Sequence, residues 1–147
     1  MFRLSIPVSF GTSAPPRPLQ TASGCKRVLL IDDDEPSRYV MRQLLREDHL
    51  RYQPFEAAGG AEGLRLAREM APAVIILDLQ MPDIDGFAVI EQLQANPNTR
   101  AIPVIVATSL SLTSMLRARL PAGIRLLAKD GLTRETISLA LNEATGA

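Results

Sequence analysis

Cysteine and histidine are almost absent from this sequence of 147 residues, which contains one of each, Cys25 and His49. A single cysteine excludes an internal disulfide and a cysteine-based zinc site. A single histidine excludes a histidine cluster for a metal and leaves little room for a Ser-His-Asp hydrolase. Acidic and basic residues number sixteen each, so no positive excess indicates nucleic acid as a partner. Any chemistry must therefore depend on carboxylates.

Long apolar runs are also missing. The longest ones, such as residues 74–77 and 104–107, are far too short to cross a bilayer, and we expect no membrane segment. Hydrophobic residues make up 46% of the chain and charged residues 22%, which is ordinary for a soluble globular protein. The length gives room for one domain and not comfortably for two.

The first 26 residues differ from the rest of the chain. They contain four prolines and three basic residues but no acidic residue, and no helical or strand period, which predicts a flexible arm at 1–26 before a single domain at 27–147. Residues 22–25 resemble a lipoprotein cleavage site, but prolines and Arg17 interrupt the apolar stretch that should precede such a site. We therefore expect no export signal and a cytoplasmic protein.

From Lys26 onward, short apolar segments alternate with amphipathic ones. The apolar segments predict strands at 28–31, 51–57, 73–77, 102–107 and 124–128. The amphipathic segments predict helices at 35–47, 61–70, 86–95 and 113–120, and a last helix that begins near Thr133. This alternation predicts an α/β fold with a parallel sheet covered by helices on both faces. Pro54 cannot donate a ladder hydrogen bond, so we expect the second strand at an edge of the sheet and the very apolar third strand in the middle.

Polar side chains collect where the strands are predicted to end. Seven of the eight aspartates lie in the loops after the first, third and fifth strands: Asp32, Asp33, Asp34, Asp78, Asp83, Asp85 and Asp130. Thr108 and Ser109 follow the fourth strand, and the fifth ends at Lys129, the only lysine after residue 26. Functional sites of open α/β sheets lie at the carboxyl ends of strands. The rarity of lysine indicates selection for a compact point charge, although a stray surface lysine stays possible as an interpretation.

Asp32, Asp33 and Asp78 on neighbouring strand ends would repel one another by roughly 3 kcal/mol per pair, at about 5 Å and an effective dielectric near 20. Such a cluster must raise a pKa, gain hydrogen bonds or bind a cation. Oxygen ligands without histidine or cysteine select Mg²⁺, Mn²⁺ or Ca²⁺, and few protein ligands in an open site favour Mg²⁺. A lysine and a hydroxyl aimed at the same place suit a phosphoryl group, with an aspartate as nucleophile.

Two segments then carry a resemblance to a known family. Residues 28–36 (VLLIDDDEP) and 75–86 (IILDLQMPDIDG) resemble the receiver domain of two-component response regulators, over about residues 26–147. The resemblance implies a flavodoxin-like, doubly wound sheet of five parallel strands in the order 2-1-3-4-5. It also implies that the protein is a phosphoacceptor that signals by protein–protein interaction, and not an enzyme.

The resemblance further implies roles for individual residues. Asp78 would accept a phosphoryl group from a phosphohistidine on a sensor histidine kinase or a histidine phosphotransfer protein. Thr108 would donate its hydroxyl to a phosphoryl oxygen, and Lys129 would bond the phosphoryl group and the acid pair. The implied Mg²⁺ ligands are the side chains of Asp33 and Asp78, the backbone carbonyl of Gln80 and, mostly through water, Asp32.

Two departures from the family pattern keep a second interpretation open. Asp130 stands where receivers usually have proline, and Leu126 stands where many have a switching tyrosine or phenylalanine. A receiver-like module that binds partners without phosphorylation is therefore an alternative. A third interpretation is a phosphatase of the haloacid dehalogenase type, because residues 32–34 match its Asp-x-Asp motif by letter. That reading leaves Asp78 without a role. Since no second domain follows Ala147 in this sequence, we expect a stand-alone receiver, with a relay element or a hybrid-kinase receiver as equal alternatives.

Overall fold

The computed structural model describes residues 26–46, 52–110 and 114–146. Strands and helices alternate along these residues, as the sequence predicts. The strands are β1 (Lys26–Ile31), β2 (Tyr52–Ala57), β3 (Val74–Leu77), β4 (Val104–Thr108) and β5 (Arg125–Ala128). The helices are α1 (Glu35–Arg46), α2 (Gly60–Met70), α3 (Gly86–Ala95), α4 (Ser114–Ala118) and α5 (Arg134–Thr145).

The sheet has five strands in the order β2-β1-β3-β4-β5, and every neighbouring pair is parallel. The predicted strand order is confirmed. β3 lies in the centre with all four residues buried, and β2, which contains Pro54, lies at an edge. The order reverses between β1 and β3, and ligands of open α/β sheets bind in the crevice at such a reversal.

Helices cover both faces of the sheet, and the side chains of β1 show how they are divided. Val28 and Leu30 pack in one cluster with buried residues of α1 and α5, whereas Leu29 and Ile31 pack in another with residues of α2, α3 and α4. Successive side chains of a strand point to opposite faces, so continuous apolar strands are buried on both sides. We call these the α1/α5 face and the α2–α4 face.

Except at α4, the described helices have their predicted bounds to within one residue; α2, for example, begins at Gly60 instead of Ala61. α3 has its predicted bounds, and Thr133 caps α5 by accepting a hydrogen bond from the N–H of Thr136. α4 is shorter than predicted and ends at Ala118. Beyond it, the N–H groups of Arg119 and Leu120 bond three residues back, to Leu116 and Arg117, so the chain tightens into a turn before Pro121. A proline disfavours the helical conformation of the residue before it, here Leu120, which explains why α4 ends earlier than predicted.

Several predictions lie outside the described residues. The structure does not describe residues 1–25, so the flexible arm stays a prediction. Lys26, which was predicted as the last residue of the arm, is the first residue of β1. His49 also lies outside them. Within the described part of the chain, no helix has the length and apolar content needed to cross a membrane.

Candidate functional site

The register of the sheet brings Asp32 and Asp78 side by side. Ile31 pairs with Leu77 across the β1–β3 ladder, and the N–H of Asp78 donates to the carbonyl of Ile31 at 2.9 Å. The side chains of Ile31 and Leu77 both face α2–α4. Because side chains alternate along a strand, the residue that follows each strand, Asp32 or Asp78, lies on the opposite, α1/α5 face. Both aspartates are buried there, at the carboxyl ends of adjacent strands.

Three carboxylates and one ammonium group meet at this point. Asp32, Asp33 and Asp78 each offer one carboxylate oxygen within 4.8 Å of the others, and Asp33 is the exposed member. The Nζ atom of Lys129 lies 2.7 Å from Oδ2 of Asp32 and 3.6 Å from Oδ1 of Asp78. The N–H of Lys129 donates to the carbonyl of Thr108 at 2.8 Å, which holds the loop after β5 against the end of β4. The structure therefore gathers the predicted acids and lysine.

Asp78 carries the electrostatic strain of the cluster. Burial raises the pKa of its carboxyl, and the negative charges of Asp32 and Asp33 add to the rise, while Lys129 and the N–H of Gln80 oppose it. Its Oδ1 atom is buried and has no hydrogen-bond partner among the described residues. A buried carboxylate oxygen without a hydrogen bond is unfavourable unless cations satisfy it, and the Lys129 ammonium group 3.6 Å away does so only in part. The hard oxygen donors around it suit Mg²⁺, so the residues present fit that ion.

Ser37 is a residue of this site that the sequence analysis missed. Its hydroxyl accepts a hydrogen bond from Nζ of Lys129 at 3.2 Å and donates to Oδ2 of Asp34 at 2.6 Å. The same Asp34 oxygen accepts the backbone N–H of Ser37 at 3.0 Å, and the two Ser37 bonds lower the pKa of Asp34. An acidic residue three positions before a serine at a helix start is a recognisable capping pattern, so the signal was present. The first turn of α1 thus helps to hold the lysine.

Other aspartates of the predicted group serve as helix caps. Asp83 accepts the N–H groups of Gly60 and Ala61, both at 3.1 Å, and these bonds, that of Ala61 first, hold its pKa below the usual value. Asp85 accepts the N–H of Ala88 at 2.9 Å and caps α3. Side-chain oxygens at these positions satisfy N–H groups that the helix itself leaves unpaired. The concentration of aspartates after strands therefore has two causes, the site and the helix starts.

Thr108 and Gln80 lie at the same edge of the sheet, but their side chains form hydrogen bonds with residues outside the acid cluster. The buried Thr108 hydroxyl accepts the N–H of Leu110 at 3.1 Å, and no hydrogen bond to Asp78 is present among the described contacts. The side-chain carbonyl of Gln80 accepts a hydrogen bond from Ser109 at 3.3 Å. A hydroxyl that accepts one bond still has its own hydrogen to donate. The predicted roles of both residues thus stay predictions.

A cavity of about 220 Å³ opens beside the acids, between α1 and the sheet. Asp32, Ser37, Asp78 and Lys129 line it together with apolar residues such as Met41. Leu126, which stands where many receivers have a switching tyrosine or phenylalanine, does not line this cavity; it is buried on the α2–α4 face of the sheet. The cavity thus adjoins both the Asp78 carboxylate and the Lys129 ammonium group.

The sequence is similar to known proteins over most of its described length. A family model described as response regulator receiver domain matches residues 28–139. The protein PilH of Pseudomonas aeruginosa is 37% identical over 83 residues, which cover 56% of this chain and 67% of PilH. The response regulator PleD of Caulobacter vibrioides is 36% identical over 84 residues, which cover 57% of this chain but only 18% of PleD. The match therefore spans a small part of that relative.

A solved structure shares the fold. The receiver domain of sensor histidine kinase PA1611 from Pseudomonas aeruginosa superimposes with a TM-score of 0.73 at 25% identity. The superposition covers 83% of this chain and 98% of that domain. That structure has a magnesium ion coordinated in its active-site cleft.

Proposed function

The chain belongs to the response regulator receiver domain family, and from that premise we propose that Asp78 is its phosphoacceptor and that Mg²⁺ assists the transfer. One observation carries the proposal. Oδ1 of Asp78 is buried without a hydrogen-bond partner, within reach of two further carboxylates and of an ammonium group 3.6 Å away. The surplus of negative charge around this oxygen favours a bound cation, and the neighbouring carboxylates supply ligands for one.

The transfer forms one bond and breaks one. A carboxylate oxygen of Asp78 attacks phosphorus, and the new P–O bond forms as the bond from phosphorus to the donor's leaving atom breaks. The leaving atom, an imidazole nitrogen of a phosphohistidine or the carboxylate oxygen of acetyl phosphate, keeps the electron pair. The product on Asp78 is an acyl phosphate. The new phosphoryl group has three terminal oxygens that share its negative charge beside the former carboxylate, and they need counter-charges and donors.

Residues of this chain meet that need. Asp33, Asp78 and the backbone carbonyl of Gln80 would hold Mg²⁺, with Asp32 acting mostly through water. When bound, the ion supplies positive charge that the transferring oxygens share. The ammonium group of Lys129 has only to move from Asp32 toward Asp78 to contact a phosphoryl oxygen, since it already lies near both. Thr108 would turn its hydroxyl from Leu110 to donate to the same group.

The phosphodonor in this proposal is a sensor histidine kinase or a histidine phosphotransfer protein. The family of the chain and the kinase receiver domain with a similar fold support this class of partner. In this proposal the protein is a phosphoacceptor that assists its own phosphorylation and dephosphorylation, and it signals by binding a downstream protein. The phosphatase interpretation loses its support, because the family that matches is that of receivers. The cytoplasmic location and the absence of a nucleic-acid partner stay predictions.

Incubation with Mg²⁺ and acetyl phosphate tests the proposal, with intact-mass measurement and mapping of the labelled residue. We expect one phosphoryl group per chain, on Asp78, and a loss of at least about 90% of the label without Mg²⁺, as loss of several kcal/mol of transition-state stabilisation implies. Asp78→Asn, which keeps the shape of the side chain, should abolish labelling. Asp85→Asn is the matched control, because it removes a nearby negative charge but keeps a capping oxygen, and it should be labelled like the wild type.

The outcome separates the alternatives. A folded wild-type protein that takes no label contradicts the proposal and favours the receiver-like module that acts by binding alone. Continuous turnover of a phosphate ester, without stoichiometric labelling of Asp78, favours the phosphatase.

A further inference from the structure

Arg38, in the first half of α1, connects three parts of the fold that meet at the site. Its Nε atom donates to Oε1 of Glu56 on β2 at 2.9 Å, and its NH1 atom donates to the backbone carbonyl of Asp32 at 2.7 Å. The side chain is 14% exposed, so these bonds are largely shielded from water. A guanidinium group has several donors in one plane and can hold both acceptors at once.

The carbonyl that Arg38 holds belongs to the peptide between Asp32 and Asp33. A peptide is planar, so a fixed carbonyl also fixes the N–H of Asp33 and the direction in which the Asp33 backbone continues. The Asp32 side chain has further anchors, because it accepts bonds from Lys129 at 2.7 Å and from the N–H of Asp34 at 2.9 Å. Asp33 is exposed and lies in a loop, where the backbone is held by fewer contacts.

The other partner of Arg38 is itself well held. Glu56 accepts NH1 of Arg42 on both of its carboxylate oxygens, at 2.6 and 2.7 Å. Burial opposes the ionisation of Glu56, but the hydrogen bonds from Arg42 and Arg38 outweigh burial and lower its pKa. Glu56 therefore stays charged and gives Arg38 a fixed anchor on the edge strand. Arg38 and Arg42, which lie four positions apart on α1, thus both form ion pairs with Glu56.

We propose that Arg38 is a positioning residue for the divalent-cation site, which it serves by clamping the Asp32–Asp33 peptide so that Asp33 points its carboxylate toward Asp78. The proposal rests on the proposed function, because it concerns the same Mg²⁺ site. Arg38 touches neither the phosphoryl group nor the ion in this role. It acts through Asp33.

Charge alone predicts the opposite effect, and this makes the proposal testable. A positive guanidinium near the site repels a divalent cation, so its removal would tighten Mg²⁺ binding if charge were all that mattered. If position matters, removal loosens the loop and weakens binding. Outer-shell partners that orient metal ligands typically change affinity by about 10- to 100-fold when they are removed.

The test measures Mg²⁺ binding to the whole chain by isothermal titration calorimetry, with thermal unfolding of each variant in parallel. We expect Arg38→Ala and Arg38→Lys both to bind Mg²⁺ at least about tenfold more weakly than the wild type. Lysine keeps the charge but has one nitrogen, which cannot hold Glu56 and the Asp32 carbonyl in the same way. Should Arg38→Ala fail to fold, Arg38→Lys alone decides the question.

Arg42→Ala is the matched control. It removes a guanidinium group and an ion pair to the same glutamate, one turn along the same helix, but no described bond to the Asp32–Asp33 peptide is lost. We expect its Mg²⁺ affinity to stay within about twofold of the wild type, because the half-buried ion pair that it loses makes only a modest contribution and has no described contact with the Asp32–Asp33 peptide. Equal weakening in Arg42→Ala, or unchanged or tighter binding in Arg38→Ala and Arg38→Lys, overturns the proposal. If the wild type itself binds no Mg²⁺, the proposed metal site fails, and the role of Arg38 fails with it.

Discussion

At the scale of one residue, the charged side chain of Asp78 makes the folded state less stable. Its carboxylate is buried, Oδ1 has no hydrogen-bond partner, and two other carboxylates lie within 4.8 Å. Burial and the two like charges disfavour the ionised carboxyl, by roughly 3 kcal/mol per repelling pair, and the attraction to Lys129 offsets part of this cost. We therefore expect Asp78→Asn, which keeps the shape and removes the charge, to raise the free energy of unfolding by about 1 to 3 kcal/mol at pH 7 without Mg²⁺.

The pH dependence of this gain follows from the raised pKa of Asp78. Below the pKa of the unfolded chain both states hold the proton, and the protonated side chain is well tolerated. As the pH rises through the folded pKa, the folded state must lose the proton at a cost, so stability falls. Urea unfolding at a series of pH values should therefore show the largest advantage of Asp78→Asn at neutral pH and a shrinking one as the pH is lowered through the raised pKa.

Groups with lowered pKa values do not disturb this comparison. Glu56 and Asp83 stabilise the fold above their unfolded pKa values, and that stability is lost as the pH falls through the folded ones. Both proteins contain them, so their contributions cancel. A pH-independent difference, or a variant less stable than the wild type at pH 7, contradicts the assignment of strain to the Asp78 charge.

At the scale of the element, Gly86 shows how the start of α3 positions the site. A Cβ atom on this residue would lie 2.6 Å from the carbonyl oxygen of Asp78 and 2.6 Å from Cα of Leu79. Its N–H donates to the carbonyl of Leu79 at 2.9 Å, so the helix begins directly against the backbone that follows Asp78. The glycine in the sequence Asp-Gly is thus required for close packing.

Gly86→Ala should therefore weaken both the fold and the site. Alanine favours helices by about 1 kcal/mol over glycine, but overpacking against fixed backbone costs about 1 to 3 kcal/mol, so we expect a net loss of stability. The displaced backbone carries Asp78, so Mg²⁺ affinity should fall as well. Gly123→Ala is the control, because its φ of 92° strains alanine while no atom lies within 4 Å of the added carbon. It should lose stability and keep its Mg²⁺ affinity; parallel losses of affinity in both variants contradict the packing argument.

Sequence patterns predict the elements better than the contacts between them. Continuous apolar runs place the strands, Pro54 places β2 at the edge, and the bounds of α3 agree with the structure because Asp85 caps its start and Asn96 follows its end. The pairing of Arg38 with Glu56 joins residues 18 positions apart on different elements. A pattern within one helix contains no information on such a pair, which exists only once β2 lies beside β1 and under α1.

At the scale of the whole molecule, the sheet brings residues that are distant in sequence together at one end of its strands. Asp32, Asp78 and Lys129 follow three different strands, and the lysine lies 97 positions from the acid it contacts. Parallel strands end at the same edge of the sheet, where β1 and β3 are neighbours, and the long side chain of Lys129 extends to them from β5, two strands beyond β3. This explains why the meeting of the acids and the lysine was predictable. The capping pattern at the start of α1 predicts the bond of Ser37 to Asp34 but not its contact with Lys129, which depends on how α1 packs against the sheet.

Convergence of like charges also means that Mg²⁺ should stabilise the entire fold. A ligand that binds only the folded state raises the free energy of unfolding by about 2.7 kcal/mol at 100 times its dissociation constant. The acids come together only when the sheet is formed, so the unfolded chain has no comparable site. We therefore expect the midpoint of thermal unfolding to rise steadily with MgCl₂ concentration in the wild type.

Screening of the repulsion by salt would raise the midpoint too, and two comparisons separate it from binding. NaCl at matched ionic strength screens charges equally but does not coordinate the carboxylates. Because the Debye length of about 8 Å at 0.15 M exceeds the spacing of the acids, salt screens their repulsion only weakly. We therefore expect NaCl to raise the unfolding midpoint by less than half as much as MgCl₂ does. Asp33→Asn removes one ligand and one repulsive charge together, so it should start more stable without Mg²⁺ and gain less from it. If NaCl matched MgCl₂, or if Asp33→Asn gained as much as the wild type, the acids would repel without binding an ion, and the magnesium-assisted transfer to Asp78 would lose its physical basis.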